Sequence, residues 1–326
     1  MSARVALSMY RRVLKILASI KCVGAEKLAL QRYAEFLPQA MEVTKGESLH
    51  VLVRRAFLSA NLCPGTLSSG FAFIKDATES MRDLELLALW DAYGRDGEYE
   101  MLHGIALVSA ALRHAENAEA TQLGELAVTV LCIRRQLRQV VEELKGDALV
   151  VVAGPSPSSG RRHAWNARLS SLGTAVELLR RRGFEVSERA AEDFTALSLL
   201  RRGRASVFLL NVLLTVAFCE LGALCTLVGT ESHRPWIRFQ RDGGRPLFLS
   251  FAHTGIHSTK EVMRLNGYPP RSTQWWRAAG WDGSSRKHVL SRLLRMQLMS
   301  HSSSADSPLR TQQVRVCQMQ IIFLLS

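Results

Sequence analysis

The first 21 residues, MSARVALSMYRRVLKILASIK, contain no acidic side chain against five basic ones. This segment therefore has no internal carboxylate to pair with its cations, and its charge is left for import machinery or for a partner. Acid is also scarce after His233, where 14 Lys and Arg face only Asp242, Glu261, Asp282 and Asp306. The six cysteines form neither a CxxC pair nor a dense cluster, which argues against a disulfide scaffold and for buried thiols in a reducing compartment. No GxSxG elbow, GxGxxG fingerprint or HExxH pair occurs, so motif-level signs of a serine hydrolase, a dinucleotide enzyme or a zinc protease are missing. His253 and His257 have helical metal-site spacing, but Gly255 lies between them and no carboxylate or cysteine cluster lies nearby. We expect no metal there.

What is present is apolar residue in helical rhythm. The chain has 326 residues, 47% hydrophobic, with a net charge of +13. That length and composition allow two domains with real cores, and the charge suits nucleic acid, anionic lipid or acidic protein without choosing among them. Met9, Val13, Ile16, Leu17 and Ile20 recur at helical spacing while Arg4, Arg11 and Lys15 share another face, predicting an amphipathic helix. Leu49, Leu52, Val53, Ala56, Phe57 and Ala60 predict a second helix that stops before Pro64-Gly65. Ile74, Ala77, Met81, Leu84 and Ala88 predict a third, ending near the Gly94 and Gly97 linker.

Two further helices are predicted over 101–116 and 123–145, followed by DALVVVAGPSPSSGRRH, which reads as a short apolar run and a surface loop. The interval from Gly154 to Gly160 is one residue too long for a P-loop, and Arg161 stands where that loop needs Lys. Residues 206–229 are the one run long enough to cross a bilayer, at about 20 residues. Asn211 and Glu220 within it favour a buried core helix, whereas Arg201, Arg202 and Arg204 would flank a membrane helix. From His233 onward periodicity fades into short Arg-, Ser- and Trp-rich pieces, read as a poorly structured basic tail that would meet phosphates nonspecifically, or as sequence outside the ancestral domain.

Met9, Tyr10 and Arg11 in the first helix, Phe57 in VLVRRAFLSANLCPG, and the helix after the Pro-Gly turn together resemble the LYR-motif family of small mitochondrial proteins over residues 1–92. Met9 stands in place of the family's leading Leu, and the insert between the first two helices is longer than usual. The resemblance implies a three-helix adaptor, mitochondrial and retaining its first segment, that binds acyl carrier protein and assists assembly of a respiratory, iron–sulfur or ribosomal client. Tyr10 and Phe57 would line the acyl tunnel, and Arg11, Arg12, Lys15, Arg54 and Arg55 would meet the partner's acidic helix. The implied cofactor is not its own but the acyl-phosphopantetheine carried by that partner.

The stretch AWNARLSSLGTAVELLRRRGFEV resembles the PUB domain of peptide:N-glycanase-like and UBX-type proteins, within about residues 123–200. That resemblance implies a cytoplasmic adaptor that docks the C-terminal tail of a AAA ATPase, with Trp165, Arg168, Gly183 and Phe184 at the site. The plain alternative is an amphipathic helix closed by a glycine cap, against which Phe184 packs. The expected architecture is mainly α. It comprises a helical bundle over 1–93, a linker and helix over 94–122, a small α-rich (α+β) module over 123–200, an apolar helix over 201–230 and the basic tail over 231–326. No catalysis is expected.

Overall fold

The computed structural model describes residues 3–20, 51, 81–94, 100–116, 125–152, 172–230, 235–240, 245–267, 283–302 and 308–325. These form a mainly helical protein with a small antiparallel sheet. Helix α1 is Ala3–Ser19, α2 covers residues 81–94, α3 is Met101–Glu116, α4 is Glu125–Val152 and α5 is Leu172–Arg181. Then come β1 (Glu185–Val186), a 3-10 turn at Ala191–Phe194, α6 (Ala196–Arg202), β2 (Arg204–Ala205) and α7 (Val207–Glu220). Strands β3 (Cys225–Val228), β4 (Trp236–Phe239), β5 (Leu247–Leu249) and β6 (His257–Ser258) precede α8 (Thr259–Leu265), α9 (Gly283–Ser302) and α10 (Pro308–Leu325).

The four-stranded sheet runs in sequence order, β3-β4-β5-β6, antiparallel throughout. Alternation splits its side chains cleanly between two faces. Cys225, Leu227, Ile237, Phe239 and Leu249 turn into the main core with α7, while Val228, Trp236 and Phe248 pack with Val262 of α8. Helix α7 is apolar on every side because it is covered on every side: all residues from Val207 to Phe218 are buried. Its one amide is fully used. Asn211 donates to the Pro235 carbonyl (2.7 Å) and to Ser250 Oγ (3.1 Å), and accepts from the Phe251 N–H (2.8 Å). A buried polar group with all partners met is tolerable inside a core, whereas hydrocarbon would leave it orphaned.

Glycines close α5 and α6 and start a second, two-stranded sheet. Gly183 takes φ +91°, and hydrogen bonds from Gly183 N to Arg180 O (3.0 Å) and from Phe184 N to Leu179 O (3.2 Å) complete a Schellman cap. Gly203 takes φ +68° at the end of α6, and a Cβ there would stand 2.7 Å from the Gly183 carbonyl oxygen. The two chain ends so brought together pair in parallel as β1 and β2, with Glu185 opposite Arg204 and their side chains bonded at 2.9 Å.

Three expectations need correction. The basic tail is not poorly structured: it supplies β4–β6 and α8–α10, and Val289, Leu290, Leu293, Leu294, Cys317 and Leu324 lie in the same buried cluster as α3 and α7. Its charges alternate with apolar residues that face different neighbours, so a folded segment looks compositionally like a basic tail. The helix predicted to stop at 145 continues through Gly146, so the apolar run at 147–152 forms the last turns of α4. Residues 206–229 are a 14-residue helix, a turn and a strand, and no described helix is long and apolar enough to cross a membrane.

Candidate functional site

Helix α1 carries the described part of the sequence-predicted docking surface. Val13 and Leu17 are buried, and Tyr10, Leu14, Ile16 and Ile20 are half-buried beside them, one turn apart on one side. Arg11, Arg12 and Lys15 are exposed on the opposite side, where Arg11 and Lys15 are successive i, i+4 neighbours. Helical spacing alone dictates this division, since a residue adjacent to Tyr10 must point about 100° away from it. The side chain of Met9, and Arg54, Arg55, Phe57, Trp165 and Arg168 with their surroundings, lie outside the described residues. Apart from Val51, which is helical and exposed, the second helix of the expected bundle and the linker glycine Gly97 do so too; of the third helix, Met81, Leu84 and Ala88 are buried in α2.

Gly183 and Phe184 are both engaged in structure. Gly183 supplies the left-handed cap described above, and Phe184 packs half-buried against the main core. Their conjunction is the hydrophobic contact that accompanies a Schellman turn.

Three clusters of polar side chains stand elsewhere. Asp193 receives hydrogen bonds from Ser187 Oγ (2.7 Å), Arg189 N (3.0 Å), Ala190 N (3.0 Å) and Ser198 Oγ (3.0 Å). Burial pushes its carboxyl up, but the donors from Ser187, Ala190, Ser198 and Arg189 outweigh it and hold the acid below the ordinary aspartate range. This carboxylate fastens the loop before α6; it has no open side directed at a ligand.

A ring of charge joins α4 to the end of α7. Glu100 pairs with Arg134 and with Arg138 (2.8 Å), Arg138 reaches on to Glu220, and Lys145 bonds Glu220 (3.3 Å) and Glu142 (2.9 Å). The ring gives Glu220 its partners at the surface. Each pair is largely solvated, so the ring positions more than it stabilises.

The two histidines of the HxxxH spacing are packed with an indole. Trp236 stacks on His253 at 4.8 Å and meets the edge of His257 at 5.3 Å. Among the described residues no group of three or more His, Cys, Asp and Glu could hold a metal ion. What sequence reading did not find is a thiol pair: Cys219 Sγ and Cys225 Sγ approach to 3.5 Å across the turn that joins α7 to β3. Their CxxxxxC spacing matches no familiar motif, and only the turn geometry brings them together.

No protein-family profile, curated protein or solved structure matches this chain.

Proposed function

We propose that this chain is a binding adaptor of the LYR type, acting in the mitochondrial matrix, whose first helix docks the acidic face of acyl carrier protein. The observation that supports this reading is the division of α1, with Tyr10 turned inward and Arg11, Arg12 and Lys15 exposed together without an intervening acid. Exposed cations of this kind speed encounter and set orientation, each contributing less than about 1 kcal/mol of affinity. The partner's acyl chain, on its phosphopantetheine arm, would add the larger share at about 0.8 kcal/mol for each buried CH₂. The client, respiratory, iron–sulfur or ribosomal, follows from the adaptor role.

The test is affinity capture from mitochondria with tagged wild-type chain and an Arg11→Glu/Lys15→Glu variant whose helical content is verified by circular dichroism. Acyl carrier protein should be captured by the wild type and reduced at least tenfold with the variant. The reading fails if the wild type captures none, or if the variant captures as much. Cytoplasmic retention with binding to an ATPase tail peptide would favour the PUB-type reading instead.

A further inference from the structure

The turn after α7 builds a thiol pair. Gly222 takes φ +87°, and hydrogen bonds from Gly222 N to Cys219 O (2.9 Å) and Ala223 N to Phe218 O (2.9 Å) reverse the chain within five residues. Cys219, at the end of α7, is thereby returned to Cys225, the first residue of β3. Their sulfurs stand 3.5 Å apart, Cys219 Sγ lies 3.6 Å from the Cys225 carbonyl oxygen, and Cys225 Sγ lies 3.9 Å from that of Thr215. A disulfide requires about 2.05 Å, so closure needs the sulfurs to approach by roughly 1.5 Å.

The two thiols differ in the way that directional exchange demands. Cys219 is partly buried at the edge of the main core, whereas Cys225 is 5% exposed within it. The hydrogen bond with Cys225 lowers the Cys219 thiol, helped by the Arg286 charge and opposed by its own burial and the Glu220 carboxylate, while the same contact and burial push Cys225 well up. The more accessible sulfur, whose proton is the more readily lost, attacks, and its buried neighbour resolves.

We propose that Cys219 and Cys225 form a reversible dithiol–disulfide site for low-molecular-weight disulfides, with Cys219 as the attacking thiol and Cys225 as the resolving one. Cys219 thiolate attacks one sulfur of RSSR, forming a Cys219–S–S–R bond and expelling RS⁻. Cys225 then gives up its proton and attacks Cys219 Sγ, expelling the second RS⁻. Two electrons pass from the protein sulfurs to RSSR, the two thiol protons end on two RSH, and the chain holds one Cys219–Cys225 bond.

The experiment treats the reduced, folded full chain with oxidised glutathione and maps every cysteine by peptide mass spectrometry. The expected product is a Cys219–Cys225 cross-linked peptide that dithiothreitol reverses. Cys132, which is exposed, should carry only a glutathione adduct, and Cys317, which burial pushes up to about 12, should stay free as a marker of the folded state. With Cys225→Ala, glutathione should accumulate on Cys219; with Cys219→Ala, Cys225 should remain unmodified. The proposal is overturned if wild-type Cys219 keeps its glutathione without closing, or if both thiols stay free while Cys132 reacts. The wild-type map decides the matter even if a variant fails to fold.

Discussion

Trp90 of α2 and Gln320 of α10, 230 positions apart, share a buried hydrogen bond from the indole N–H to the amide oxygen at 3.0 Å. Both residues are nearly inaccessible, and Gln320 also donates to the Val316 carbonyl at 3.3 Å. Arg315, a little more than one turn earlier, bonds Asp83 of α2 at 3.2 Å. The last helix, packed against α9 and α3, thus ties the segment after residue 283 to helices from the first third of the chain.

Replacing Gln320 by Leu should leave the Trp90 N–H buried and unpaired, at a cost of about 1–3 kcal/mol. Pairing it with Trp90→Phe removes donor and acceptor together, so the double variant should lose less than the sum of the singles. Urea denaturation of the four proteins in a double-mutant cycle measures this coupling.

Gly203→Ala should be markedly destabilising. A left-handed alanine alone costs roughly 1 kcal/mol, and the new Cβ would also overlap the backbone oxygen of Gly183. Gly267 has the same φ of +68° with open space around it, so Gly267→Ala isolates the conformational cost. The difference between their denaturation midpoints reads the crowding at β1–β2.

Asp193→Asn should destabilise the loop before α6, because an amide cannot accept from all four donors. The native carboxyl is held below its unfolded pKa, so its contribution is complete above about pH 4 and is lost as pH falls through the native value. The stability gap between wild type and variant should therefore be constant from pH 7 to about 5 and narrow under stronger acid, as followed by denaturant midpoints.

His103 and His301 predict a second, milder acid sensitivity. Burial, aided by Arg134 for His103 and by Arg310 for His301, lowers both below the ordinary imidazole range. Each is neutral in the fold and binds a proton more readily when unfolded, so stability is whole above about pH 6.5 and falls as pH drops below it. Substituting both by Gln should flatten the denaturation midpoint between about pH 7 and 5.

Sequence periodicity located α1 because only one stripe of it is buried, and a one-sided stripe is what periodicity detects. It located the start of α4 for the same reason. In α9, Val289, Leu290, Leu293, Leu294, Met296 and Gln297 are all buried, facing α3, α10 and the 3-10 turn. Burial on several sides erases the stripe, and the cations among these residues made the segment read as a tail. For α7 the apolar run was plain, but the choice between core and bilayer rests on Asn211 and Glu220 having partners from the residue before β4, the loop after β5 and α4, which are remote in sequence. The thiol pair was hidden in the same way, since a left-handed Gly222 and not a ligand spacing makes it.

The all-round burial of α7 also sets an order of events during synthesis. When Glu220 leaves the ribosome, α4 is already made and covers one side of this apolar rod, whereas β3, β4 and the loop through Phe251, which cover another, are not. At about 5–20 residues per second, that interval lasts roughly 2–6 s, during which the uncovered side of the rod is exposed to any hydrophobic surface that reaches it. A chain cut short before β4 keeps that exposure permanently. The nascent protein is therefore a substrate for holding chaperones in a window that closes as the sheet forms.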